Sequence, residues 1–219
     1  RRLAIKVLNA AKFVYSFPHT EGAEVTEPLD VDLLRRLADV VRIATDSYNQ
    51  FDHARALEVT EQFFWTFTDD YLELVKERAY REDGGAAQSS AVAALRLAID
   101  VFLRLLAPVL PFATEEVWRW THDGSVHAAP WPTVAEIPVS GETNGLLDLC
   151  GVALIGIRGA KTEAKASQKT PVTRAVVTGP ALLADAKDDL AAVGRIENLE
   201  LVEGTEVAVQ SIELGELPE

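Results

Sequence analysis

With 219 residues, 48% of them hydrophobic and 25% charged, the chain is long enough to bury a core and has the composition of a globular protein rather than a disordered one. No apolar run reaches the roughly 20 residues that a membrane-spanning helix needs, and nothing at the N-terminus has the charged-then-apolar layout of a signal peptide. Its one cysteine, Cys150, cannot close an internal disulfide, so a reducing cytoplasm is expected, without membrane attachment.

The net charge of −13 argues against a nucleic-acid binder, but it is unevenly spread. Arg1, Arg2, Lys6 and Lys12 face no acid within residues 1–17, and Arg158, Lys161, Lys165, Lys169 and Arg174 face only Glu163 within 158–174. Two basic islands on an acidic body suit local phosphate contact better than DNA coating, and solvated helix faces remain the alternative. The sequence opens on Arg1 inside a helical pattern, which predicts a piece of a longer protein, and it contains no methionine.

In chain order, a 3.6-residue period predicts a first helix from the start to about Phe17, with Leu3, Val7, Ala10 and Val14 inward. An acidic loop leads to a second helix, capped by Asp30 and carrying Leu34, Leu37, Val41, Ala44 and Tyr48. A turn at Asn49-Gln50 opens a long third helix from about Phe51 to Arg81, ended by Gly84-Gly85. Ser89 is the expected N-cap of a fourth helix, which Pro108 stops, and Pro111 opens a short fifth helix through Trp118 and Trp120. Short connections predict a mainly α fold, an antiparallel helical bundle closed at one end by the fifth helix.

After Gly124 the pattern changes. A proline-rich extended stretch from Ser125 to Pro138 and a linker at Gly141–Gly145 precede a sixth helix, about Leu146 to Ala166. A strand over Val172–Thr178, a helix from Pro180 to Val193 and a strand region over Leu199–Val209 follow. The expected division is a bundle with its closing segment over 1–140 and a small C-terminal α/β unit over 145–219. So few strands make a marginal sheet, so the unit is expected to pack on the bundle or on the sixth helix.

Catalytic chemistry is not legible. His19, His53, His122 and His127 have no metal-ligand spacing with one another or with Cys150, and no glycine-rich phosphate loop follows a strand. Lys165-Ala166-Ser167-Gln168-Lys169 echoes the K-M-S-K-S loop of class I synthetases, but no nucleotide-binding fold adjoins it. The expectation is no catalytic residue, no metal and no cofactor in this chain. The first helix does offer something: Arg2, Lys6, Asn9 and Phe13 fall within about 60° of one another, away from the apolar stripe. Cations, an amide and a ring on one face make a platform for single-stranded RNA, unless Phe13 packs on a neighbouring helix or the 18–28 loop.

Five segments carry a family resemblance. KVLNAAKF (Lys6 to Phe13) resembles the opening of the anticodon-binding helix of the valyl-tRNA synthetase family, and FFWTFTDDYLELVK (Phe63 to Lys76) is similar to its third-helix signature. LRLLAPVLPFATEEVW (Leu103 to Trp118) and SVHAAPWP (Ser125 to Pro132) resemble stretches shared by the valine, isoleucine and leucine enzymes. IRGAKTEAKASQKTPV (Ile157 to Val172) resembles the start of the valyl C-terminal region. Together the first four cover most of residues 1–132.

The resemblance implies binding of tRNA(Val) and discrimination of its anticodon. It implies Lys6, Asn9, Lys12 and Phe13 as contacts, with Leu72 lining an apolar pocket and Tyr71 a weaker candidate. Arg2 on the helix face joins these, and Lys161, Lys165 and Lys169, spaced i, i+4, i+8, are expected to approach the tRNA backbone unless they simply offset a helix C-terminus. Glu115-Glu116 are expected at a helix start, and Trp118 and Trp131 as packing anchors. The parent would be a ligase that attaches valine using ATP with magnesium; this portion would be non-catalytic and monomeric, would pair with the catalytic domain of the same chain, and would not bind DNA. An isoleucyl or leucyl enzyme, or a helical interaction module without RNA, are the competing readings. Many family members continue into a coiled-coil arm, and whether one follows Glu219 is open.

Overall fold

The computed structural model describes residues 1–18, 21–81 and 84–216. The expectations for His19 and for the chain beyond Glu219 lie outside these residues. The chain is mostly helical, with one three-stranded sheet near its C-terminal end. Among the described residues no helix is long and apolar enough to cross a membrane.

Helix α1 (Arg2–Val14) buries Val7, Ala10, Ala11 and Val14 along the stripe its period predicts. Helix α2 (Pro28–Asn49) begins with a proline, whose missing N–H removes one of the first turn's orphan donors. Asp30 does not cap it. The carboxylate is fully buried and accepts hydrogen bonds from Tyr71 Oη at 2.8 Å, Ser90 Oγ at 2.6 Å and both terminal nitrogens of Arg78 at 2.7 and 2.9 Å. A short aspartate one turn inside a helix can turn into the core because so many donors meet it there.

The expected single third helix is interrupted. Phe51 takes φ 61, so regular helix begins at α3 (His53–Thr66), where the Asp52 carboxylate accepts the Arg55 N–H at 2.9 Å. A π-helical turn (Phe67–Tyr71) then leads into α4 (Leu72–Ala79). Helix α5 (Ala86–Leu106) starts before Ser89, with Gly85 at the N-cap position. It is Ser90, one residue on and buried, that acts: its Oγ accepts from the Thr26 and Glu27 N–H groups while donating to Asp30.

Helix α6 (Pro111–Trp118) falls where proline predicts it, but Glu115 lies past its first turn. Glu115 instead holds the proline-rich segment, accepting from Ser125 Oγ at 2.8 Å and Val126 N at 3.0 Å. Trp118 is buried and stacked on His122, while half-buried Trp131 donates to Thr45 Oγ1 at 2.9 Å.

Helix α7 (Leu146–Glu163) receives its N-terminal cap from α2: Asp32 accepts from Thr143 Oγ1 and from the N–H groups of Asn144 and Leu147. Beyond it, β1 (Val172–Gly179) is the central strand, parallel to β2 (Ile196–Glu203) and antiparallel to β3 (Ala208–Leu214). A 3-10 segment (Ala181–Ala186) and α8 (Lys187–Gly194) cross between β1 and β2. The single expected strand region is thus two strands, and its end belongs to β3.

Arg78 on α4 reaches across to α8, bonding Asp189 through Nε at 3.0 Å and Nη2 at 2.9 Å. Val172, Ala175, Val177 and Leu190 join Leu37, Phe64 and Leu95 in one buried apolar cluster.

Candidate nucleic-acid interface

The face of α1 predicted from sequence lies along α3 and α4. Arg2 stands over the Trp65 ring, 5.1 Å from its centroid. Lys6 pairs with Asp69 at 2.7 Å and lies 5.9 Å from the same ring. Phe13 has the Lys76 ammonium 5.6 Å from its centroid and meets Tyr80 edge-on at 5.7 Å and Phe17 at 4.9 Å. The contacts ascend together in both elements, so α1 runs in the same direction as α3 and α4. Asn9 and Lys12 are exposed, and among the described residues their side chains make no hydrogen bond or ion pair.

The π-helical turn lies in the middle of this alignment. Its three consecutive residues Asp69, Asp70 and Tyr71 point three ways: Asp69 to Lys6, Asp70 toward α7, and Tyr71 into the core. Burial holds the Tyr71 phenol neutral, and Asp30 beside it acts the same way. Asp70 is pushed above the usual carboxylate range, chiefly by burial, although Arg158 pulls it down. The Lys6–Asp69 pair is exposed enough to contribute at most about 1 kcal/mol, so Lys6 can exchange Asp69 for a phosphate at little cost.

The predicted residues therefore separate. Arg2, Lys6, Asn9, Lys12 and Phe13 share one side of α1. Leu72, only 7% exposed, can serve as an apolar floor and nothing more. Tyr71 is fully buried with its hydroxyl committed to Asp30, which leaves it no surface for RNA. Lys161 is also buried, because its ammonium donates to the carbonyls of Gln168, Thr170 and Gly194 at 3.2, 2.8 and 2.8 Å. Lys165 and Lys169 remain exposed, but α7 ends at Glu163, so the three lysines do not form one helix face.

Sequence reasoning missed Trp65, Lys76 and Tyr80, which frame the α1 residues. A signal existed: Trp65, Asp69, Leu72 and Lys76 repeat the 4-3-4 spacing of Arg2, Lys6, Asn9 and Phe13.

The model of the anticodon-binding domain of tRNA ligases matches residues 30–177. Among similar proteins are the valine–tRNA ligases of Leifsonia xyli subsp. xyli, 56% identical over all of this chain and 26% of its own length, and of Cutibacterium acnes, 47% identical with the same coverage. That of Thermobifida fusca is 49% identical over 91% of this chain and 23% of its own. The chain spans about a quarter of the length of the curated relatives it matches. Matched from the first turn of α2 into β1, the chain belongs to the family of anticodon-binding domains of tRNA ligases.

Proposed function

We propose that this chain is the part of a valine–tRNA ligase that binds tRNA(Val) and reads its anticodon. The observation that carries the reading is the α1 face: exposed Asn9 and Lys12 beside a half-buried Phe13 ring framed by Lys76 and Tyr80. Phe13 offers an unstacked base an aromatic edge or face, Asn9 offers an amide to a base edge, and Arg2, Lys6 and Lys12 meet phosphates. The valine assignment is supported by relatives named as valine–tRNA ligases. On this reading the helices form an up-and-down antiparallel bundle over 1–140, followed by the α/β unit over 145–219. The parent enzyme uses ATP with magnesium to activate valine in the cytoplasm, acts as a monomer, and has its catalytic residues outside this chain.

Titration of the chain with fluorescent tRNA(Val) tests the proposal. Phe13→Ala is expected to weaken binding by roughly 5- to 150-fold, the worth of one stacked base at about 1–3 kcal/mol. Because Phe13 also packs on Phe17 and Tyr80, Asn9→Ala is the cleaner variant: it should weaken binding with no change in melting temperature. Binding unaffected by both substitutions rejects the platform. Preference for an isoleucine or leucine tRNA in competition rejects valine.

A further inference from the structure

Two loops beyond the α1 face meet in a way their sequence separation hides. The segment after α7 carries Lys165 and Lys169, and the turn after α8 carries Arg195. The buried Lys161 ammonium ties them together, its three donors taken by Gln168 and Thr170 of the first loop and Gly194 of the second. Arg195 Nη1 adds a long bond to the Lys169 carbonyl at 3.4 Å. Arg158, one turn before Lys161, accepts through its carbonyl from the Gln168 amide, and its charge faces Asp70 on the π-helical turn.

The backbone gives a second, independent indication. Lys165 and Arg195 have φ of 56 and 53, the left-handed region that glycine occupies at five other places among the described residues. Lys165 closes α7 with the Schellman pattern, Ala166 N–H bonding Lys161 O and Lys165 N–H bonding Thr162 O. Glycine suits such a position best. Among the described residues, two of the three non-glycine residues with positive φ are instead cations, and both sit here, at a cost in stability that another role can offset. Among the described residues neither they, nor Lys169 or Arg158, form an ion pair within 4.0 Å, on a chain whose net charge is −13.

We propose that Arg158, Lys165, Lys169 and Arg195 form a second phosphate-binding site for the RNA backbone, with Lys161 as the positioning residue that holds its two loops together. This rests on the anticodon-binding reading; Arg158 of the patch faces Asp70, whose neighbour in sequence, Asp69, pairs with Lys6 of the α1 face. The bound group is a run of nucleic-acid phosphates, because four separated cations match a spaced polyanion better than a single ion.

The test compares the salt dependence of tRNA(Val) binding for the chain and for the triple variant Lys165→Gln, Lys169→Gln, Arg195→Gln. Each lost phosphate contact should lower the slope of log K against log salt by roughly 0.7–0.9, so a decrease of about 2 or more is expected. Asn9→Ala should weaken binding and leave that slope unchanged, which separates the two sites. Lys165→Gly and Arg195→Gly should raise the melting temperature while weakening RNA binding, a pairing that a purely structural role does not produce. An unchanged slope in the triple variant overturns the proposal even if Asn9→Ala weakens binding. Loss of binding to poly-L-glutamate with unchanged RNA binding assigns the patch to an acidic protein and also overturns it. No RNA binding by the chain at all rejects both this site and the reading it rests on.

Discussion

All five N–H donors of Arg78 are used: two on Asp30, two on Asp189 and one on the Ala87 carbonyl. Burial pulls the guanidinium pKa down, and the bonds to the two carboxylates more than reverse it, so Arg78 stays charged. Replacing it with lysine keeps a charge but not the two-sided fork, and methionine removes both. Arg78→Met is therefore expected to cost about 3–5 kcal/mol in urea unfolding, since two buried carboxylates lose their partner. At Asp70 the sign is opposite. Its folded pKa is raised, mainly by burial, so the folded state holds the proton more tightly and wild-type stability falls as pH rises through that value. Asp70→Asn should stabilise the fold at pH 7 by less than about 1 kcal/mol, because the group is only partly buried, and the gain should vanish below about pH 4. Neither role is legible in the sequence. Arg78 meets Asp30 across 48 positions and Asp189 across 111, so no local pattern could announce them.

Elements show the complementary case. The stripe of α1, the proline start of α6 and the start of α7 were readable, because they follow from periodicity and from turn residues, whereas α2 begins at Pro28, two residues before the expected Asp30 cap, and α7 stops at Glu163, short of Ala166. The interruption of the third helix was not, since a π-helical turn leaves the apolar pattern nearly intact and is revealed only by its backbone bonding, with the Leu72 N–H reaching the Phe67 carbonyl. Helix α7 offers a sharp test of packing against propensity. A Cβ on Gly159 would meet nothing within 4 Å, so Gly159→Ala should stabilise the helix by about 0.5–1 kcal/mol in thermal unfolding. The same change at Gly156 would set its Cβ 3.0 Å from Val209 Cγ2 of β3, so that gain should be lost there.

For the molecule as a whole, the shared core predicts that α7 and the helices around it open together. Cys150, on α7, is fully buried, and burial with Asp189 and Asp32 nearby pushes its thiol far up. The folded chain should resist a thiol reagent at pH 8 and react only on unfolding, and Arg78→Met should speed labelling by weakening the α4–α8 contact. By itself the sequence determined the mainly helical class, the change of pattern after Gly124 and the polar, aromatic side of α1, because helix period, turn residues and local charge are properties of neighbours along the chain. Only the tertiary structure decided that Tyr71 and Lys161 are internal, that Trp65, Lys76 and Tyr80 frame Phe13, and that Arg195 joins Lys165 and Lys169. Each of those depends on which distant groups meet a buried polar atom, and burial is a property of the assembled fold rather than of any stretch of chain.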